Sequence, residues 1–145
     1  IKVIVPARHP LAAAHSVTAT ELVEYPLLLP KYGTTRARLN EWLELVEDSL
    51  QVSMELDSTE MVKRFVIAGL GVSFLAISHC QEDLAAGRLF AISLAPEPMQ
   101  RRVGLVYRKD KALSKAALGF IQVALEHAGA GLRTKSEPAR QLVRG

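Results

Sequence analysis

The residues best placed to do chemistry sit in three short polar turns: Pro30-Lys-Tyr-Gly-Thr-Thr35, Asp57-Ser-Thr59 and Ile77-Ser-His79. Each follows an apolar run that reads as a strand and precedes a helix-like segment. In parallel α/β sheets, ligands collect at that edge, where helix N-termini present free N–H groups and a partial positive charge. Lys31, Tyr32, Thr34, Thr35, Ser58, Thr59, Ser78 and His79 together would suit a small polar or anionic molecule. Taken one at a time, each Ser or Thr reads first as an N-cap, worth about 1 kcal/mol of helix stability; the binding role belongs to the edge as a whole.

Other constellations point to sharper chemistry and fail on context. His79-Cys80 at a helix start is the best nucleophile candidate, because a helix N-terminus lowers a thiol pKa; no orienting partner accompanies it in the sequence. His9 and His15 lie six apart with no third ligand at metal spacing. Gly69-Leu-Gly71 looks like a phosphate loop, yet it follows a helix and precedes a strand, the reverse of the order a phosphate site needs. It reads as a helix-to-strand turn, one glycine at positive φ and one allowing close packing. No enzyme, metal or cofactor signature results. Trp42 falls on an apolar helix face, and Lys63 and Arg64 lie one turn after Glu60, as surface ion pairs do.

The elements that must position the turns follow from periodicity. Lys2–Val5, Leu27–Leu29, Leu50–Leu56, Val72–Ala76, Leu89–Leu94 and Val103–Tyr107 are strand candidates. Leu50–Leu56 alternates as a half-buried strand, and Val72–Ala76 is apolar throughout, as a strand covered on both faces is. Thr18 and Glu21 have capping-box spacing. Thr34 or Thr35 caps a helix carrying Leu39, Trp42, Leu43 and Val46; Asp57 caps one with Glu60 at its third position; Ser78 caps a short one ended by Gly87. Ser114 opens a last helix with Leu118, Ile121 and Leu125 inward. Strand and helix alternate, so the expected fold is α/β with a mainly parallel sheet flanked by helices.

The chain has 145 residues, 49% hydrophobic and 23% charged, a globular composition. No apolar run approaches the ~20 residues of a membrane span, and no secretory signal is visible. The first residue is Ile1, already in a strand pattern, so the chain reads as a piece of something longer. Cys80 is the only cysteine, which suits a reducing cytoplasm. The net charge of +3 resides in residues 131–145, which carry four basic residues against Glu137. The body is neutral, poor support for a nucleic-acid surface. Residues 128–145 are expected to form a flexible basic tail.

Several segments, in order, resemble one family. VIVPARHPLA at 3–12, ELVEYPLLLPKYGTTRARL at 21–39, STEMVKRFVIAGLGVSFLA at 58–76, EDLAAGRLFAISL at 82–94 and RRVGLVYRKDKALSKAALGFIQVAL at 101–125 are similar to the effector-binding region of LysR-type transcriptional regulators. The resemblance implies a periplasmic-binding-protein-like fold over 1–127, with about 12–94 the second lobe. Residues 1–5 and 101–127 would then be crossing strands and part of the first lobe. It implies effector contacts from Lys31, Thr34, Thr35, Ser58 and Thr59, and a homo-oligomer, dimer or tetramer. DNA would be bound only through an N-terminal winged helix-turn-helix absent from this chain. The competing reading is a solute-binding protein of a transport system, which would use the same lobes.

Overall fold

A computed structural model describes residues 1–100, 104–108, 110 and 112–127. The chain divides into two compact units, Ile1–Arg102 and Val103–Gly145. In the first, β1 (Lys2–Pro6), β2 (Ser16–Val17), β3 (Pro26–Pro30), β4 (Gln51–Leu56), β5 (Val72–Leu75) and β6 (Leu89–Leu94) form one sheet in the order β2-β6-β1-β5-β3-β4. The helices are α1 (Ala19–Leu22), α2 (Thr34–Leu43), α3 (Thr59–Ile67) and α4 (Gln81–Ala85). The β2·β6, β3·β4 and β3·β5 ladders are parallel, whereas β1 is antiparallel to both β5 and β6. Five strands therefore run one way and β1, in the middle, runs against them. The sheet is mixed, and the expected parallel character holds for all strands but β1.

Both faces of the sheet are covered, which explains the unbroken apolar runs. Val3, Val5, Leu27, Leu29, Val72 and Phe74 point to one side and pack with Leu22 of α1 and Leu39 and Leu43 of α2. Ile4, Leu28 and Leu75 point to the other and pack with Val62 and Val66 of α3 and with Cys80. Burying each of these aliphatic side chains contributes about 1.5–3 kcal/mol. Ser73, inside this run, donates its hydroxyl to Leu28 O at 2.5 Å and so satisfies itself.

Gly69-Leu-Gly71 is the helix-to-strand turn expected. Gly69 ends α3 at φ +78. At Gly71 a Cβ would lie 2.5 Å from Pro26 O. The backbone of β5 meets that of β3 there, where only glycine fits.

Four expectations are corrected. β4 is an edge strand whose residues are mostly exposed, not half-buried. A bulge opposite Leu27/Leu28 sets Val52 against Leu27 and Met54 against Leu28, so the two apolar residues fall on opposite faces. Helix α2 is capped by Gly33, at φ +97, and Thr34 and Thr35 are its first two residues. Ser58, not Asp57, caps α3, accepting from Met61 N at 3.4 Å, so Glu60 is one position earlier than read. Ser78 lies in a 3-10 turn, Ile77–His79, and Cys80 stands at the start of α4 without a side-chain cap.

The capping box of α1 forms as read: Glu21 accepts from Thr18 N at 2.7 Å, and Glu21 N donates to the Thr18 hydroxyl at 3.4 Å. The backbone N–H of Thr18 and its hydroxyl, which also donates to Glu21 Oε2 at 2.7 Å, hold the Glu21 carboxyl below its usual range. Glu60 pairs with Lys63 at 2.8 Å and Arg64 at 3.4 Å, as the one-turn spacing implied. Lys63 also reaches Asp83 of α4 at 3.5 Å, and Arg88 clamps Asp83 at 2.7 Å, tying α3 to α4 and its exit. Arg88 beside it depresses the Asp83 pKa.

In the second unit the described structure is α5 (Lys115–His127) and its lead-in. The Ser114 hydroxyl accepts from Ala117 N at 3.2 Å, the cap expected. Leu118 and Leu125 are exposed, not inward, and Ile121 is half-buried. A single helix cannot cover its own apolar face. Residues 104–107 are not strand; Val103 and the tail 128–145 lie outside the described residues. A strand needs a ladder partner for its backbone groups, and 104–107 have none among the described residues.

Candidate functional site

Strands β3, β4 and β5 end at the same edge, because they are parallel and adjacent. The Lys31 N–H donates to Leu56 O at 2.9 Å, tying the exits of β3 and β4 together. Beyond them, α2, α3 and the 3-10 turn begin, as the sequence order required.

A hollow of about 290 Å³ opens at this edge. Its rim carries Lys31, Tyr32, Thr34, Thr35, Thr59 and His79. Its floor is apolar: Leu56, Phe74, Leu75, Ala76 and Ile1. Asp57 supplies one carboxylate on the wall. The N-terminal turns of α2 and α3 both start here, adding two positive dipole ends. Gly33 caps α2 without a side chain, so the first N–H groups of α2 are left for water or a ligand. The set is a hydroxyl- and amine-rimmed cup over an apolar base, a common form for small-molecule sites.

Four of the five expected contact residues, Lys31, Thr34, Thr35 and Thr59, line this hollow together. Ser58 is not on its lining, and its hydroxyl caps α3. The apolar floor was missed by a search for polar turns. Its signal was the end of each strand, since the last residues of β4 and β5 must border whatever sits at the edge.

Arg36, in the first turn of α2, braces the cup. It donates to Pro30 O at 3.0 Å and to Asn40 Oδ1 at 2.8 Å, and pairs with Glu55 of β4 at 2.6 Å. These bonds join the first turn of α2 to the ends of β3 and β4.

The other candidates fall elsewhere. The Cys80 thiol is buried, faces the carbonyls of Ala76 and Ile77 at 3.5 and 3.6 Å, and has its pKa pushed up by burial. A nucleophile needs the reverse shift. His9 accepts from Leu11 N at 3.2 Å and packs on Tyr25 at 4.6 Å, a structural role. No cluster of metal-ligating side chains occurs among the described residues. No described helix is long and apolar enough to cross a membrane.

Comparison with known proteins decides the family. The family model for the LysR substrate binding domain matches residues 1–129. The chain belongs to the LysR substrate-binding domain family. Relatives of this LysR domain include the HTH-type transcriptional regulator CbbR of Cereibacter sphaeroides, 32% identical over 80% of this chain and 38% of that protein. The HTH-type transcriptional activator CmpR of Synechocystis is 29% identical over 86% of this chain and 41% of that protein. The LysR domain thus spans about two-fifths of these relatives' length. Their names favour a regulator over a transport protein. Its fold is similar to the regulatory domain of Synechocystis CcmR solved in complex with 2-PG, with a TM-score of 0.75 at 23% identity over 90% of this chain and 63% of that one. It is likewise similar to the effector-binding domain of QuiR in complex with shikimate, TM-score 0.71 at 20% identity, over 87% and 59% of the two chains.

Proposed function

We propose that this chain is effector-sensing machinery of a LysR-type transcriptional regulator. A small polar or anionic molecule binds the hollow at the β3/β4/β5 edge. The response passes to a winged helix-turn-helix carried elsewhere in the whole protein, which acts in the cytoplasm as a homo-oligomer. The chain works by binding, not catalysis. Residues 12–94 belong to the second of two lobes, whose sheet takes in residues 2–6 as a crossing strand, and 101–127 return to the first. The mechanism is a population shift, in which the effector favours one arrangement of the lobes. The observation that carries the reading is the meeting of Lys31, three threonines and two helix starts over an apolar floor, in a chain of this family.

The test is calorimetric titration of the full-length regulator with a panel of small carboxylates and phosphate esters, 2-PG and shikimate included. At least one member is expected to bind. Lys31→Ala is expected to weaken that binding roughly tenfold, the loss of one charged hydrogen bond. Binding that is indifferent to Lys31→Ala, or a panel with no binder, would count against the site.

Self-association is also expected of the 145-residue chain itself. β4 leaves one edge of the sheet open, and Val52, Met54, Leu118 and Phe120 are exposed. Light scattering should give a mass above one chain that falls on dilution. A single-chain mass at every concentration would contradict this.

A further inference from the structure

Residues 95–100 form a strap that leaves β6 and leads, along the chain, to the second unit. We propose that Arg38 and Trp42 of α2 are positioning residues that couple occupancy of the hollow to this strap. The inference rests on the reading of the hollow as the effector site.

The strap is held at a few points, and its residues 96–98 and 100 are exposed. The Trp42 indole N–H donates to Ala95 O at 3.2 Å. Arg38 donates to Gln100 O. The Ile1 nitrogen donates to Met99 O at 2.7 Å, and the Met99 side chain rests on the core. Between these points and α2 lies an open groove of about 620 Å³, bordered by Glu41, Glu97 and Pro98. A segment pinned by hydrogen bonds over a groove can take a second position without dismantling the core.

Each pin connects to the hollow. Arg38 and Trp42 are four apart, on one face of α2, and the same rigid helix begins with Thr34 and Thr35 at the rim. The Trp42 ring meets the Phe74 ring edge-on, centroids 6.1 Å apart at 72°, and Phe74 is part of the floor. Ile1, which holds Met99 O, lines the floor as well. A group entering the hollow presses on the start of α2 and on Phe74. Both displacements arrive at Arg38 and Trp42, one through the helix and one through the aromatic contact. Leu39 and Leu43, with Trp42 beside them, seat α2 on the core, and a displacement at its start is carried along the helix as a body. Contiguous packed elements of this kind carry energetic coupling between sites.

The test fills the hollow covalently and needs no knowledge of the effector. In the 145-residue chain, Thr34→Cys is alkylated with iodoacetate, placing a carboxymethyl group at the rim. Wild type is treated in parallel to account for the buried Cys80. Hydrogen–deuterium exchange of residues 95–100 is the readout, with the fluorescence of Trp42, the only tryptophan, as a second.

Alkylation is expected to change strap exchange by about threefold or more, and that change should shrink by at least half in Arg38→Gln and again on adding Trp42→Phe. Trp42→Phe keeps an aromatic ring at the position and loses the donor; Arg38→Gln alters an exposed side chain and should leave the fold intact. If the two residues only hold the strap down, their substitution raises exchange equally with and without the adduct. That result overturns the proposal, as does an adduct that leaves 95–100 unchanged. A panel without a binder would sink the effector reading while leaving this measurement interpretable.

Discussion

Phe74→Ala is expected to cost about 3–5 kcal/mol of folding stability. Phe74 is 1% exposed and lies in β5, the strand that joins β1 to β3. Its ring fills the space between α2 and the sheet and borders the hollow. Truncation removes that buried surface and leaves a cavity that the neighbouring strands cannot close, since both are fixed by ladders. A domain of this size has about 5–15 kcal/mol in total, so the loss is a large fraction of it and the urea midpoint should fall steeply. Phe74→Leu keeps most of the volume and should cost about 1–2 kcal/mol. Urea denaturation followed by circular dichroism separates the two. Near-equal midpoints for Phe74→Ala and wild type would contradict the packing of Phe74 between α2 and the sheet.

Gly71→Ala is the second large effect, expected at about 2–3 kcal/mol. Its cause is steric: the new Cβ would stand 2.5 Å from Pro26 O, a backbone atom held in the β3 ladder. Relief requires β5 and β3 to separate, which weakens the pairing of Leu27 with Val72 and Leu28 with Ser73. Gly69→Ala is the internal control. It has the left-handed φ of +78 but nothing within 4 Å of the added methyl, so its cost is the backbone preference alone, about 1 kcal/mol. The denaturation midpoints should rank wild type, Gly69→Ala, Gly71→Ala. A reversed order of the two variants would show that close approach is not what reserves position 71 for glycine.

How much of this was legible in the sequence depended on whether the signal was local. The capping box at Thr18 and Glu21, the bounds of β6 and the turn at Gly69 and Gly71 each rest on residues adjacent along the chain, and all appear as read. The caps of α2 and α3 were displaced by a residue or so because each start offers two acceptable caps side by side, and only the entry angle of the chain selects between them. The exposure of β4 was not legible. Alternation names a face, but neither the bulge at Ser53 nor the edge position leaves a mark on the period. The reversed direction of β1 was hidden for a similar reason, since an apolar run reads the same forwards and backwards. For the hollow, the polar rim was legible because turns must present such residues. The floor was not, because Phe74 and Leu75 looked like any other residues of a buried strand.

The position of β1 has a consequence for how the chain can be assembled. It precedes the other strands of this sheet along the chain, yet its partners are Val72–Leu75 on one side and Leu89–Leu94 on the other. Val3 must wait for Ile92, while β3 finds β4 about 25 residues later. A chain growing from its N-terminus therefore carries an apolar strand with both edges open until β5 and β6 exist. The β3–β4 pair can close early, β1 must slot between two strands made after it, and β2, whose one neighbour is β6, joins last. Any chain that stops short of Leu89 keeps β1 as an open edge and gives β2 nothing to pair with.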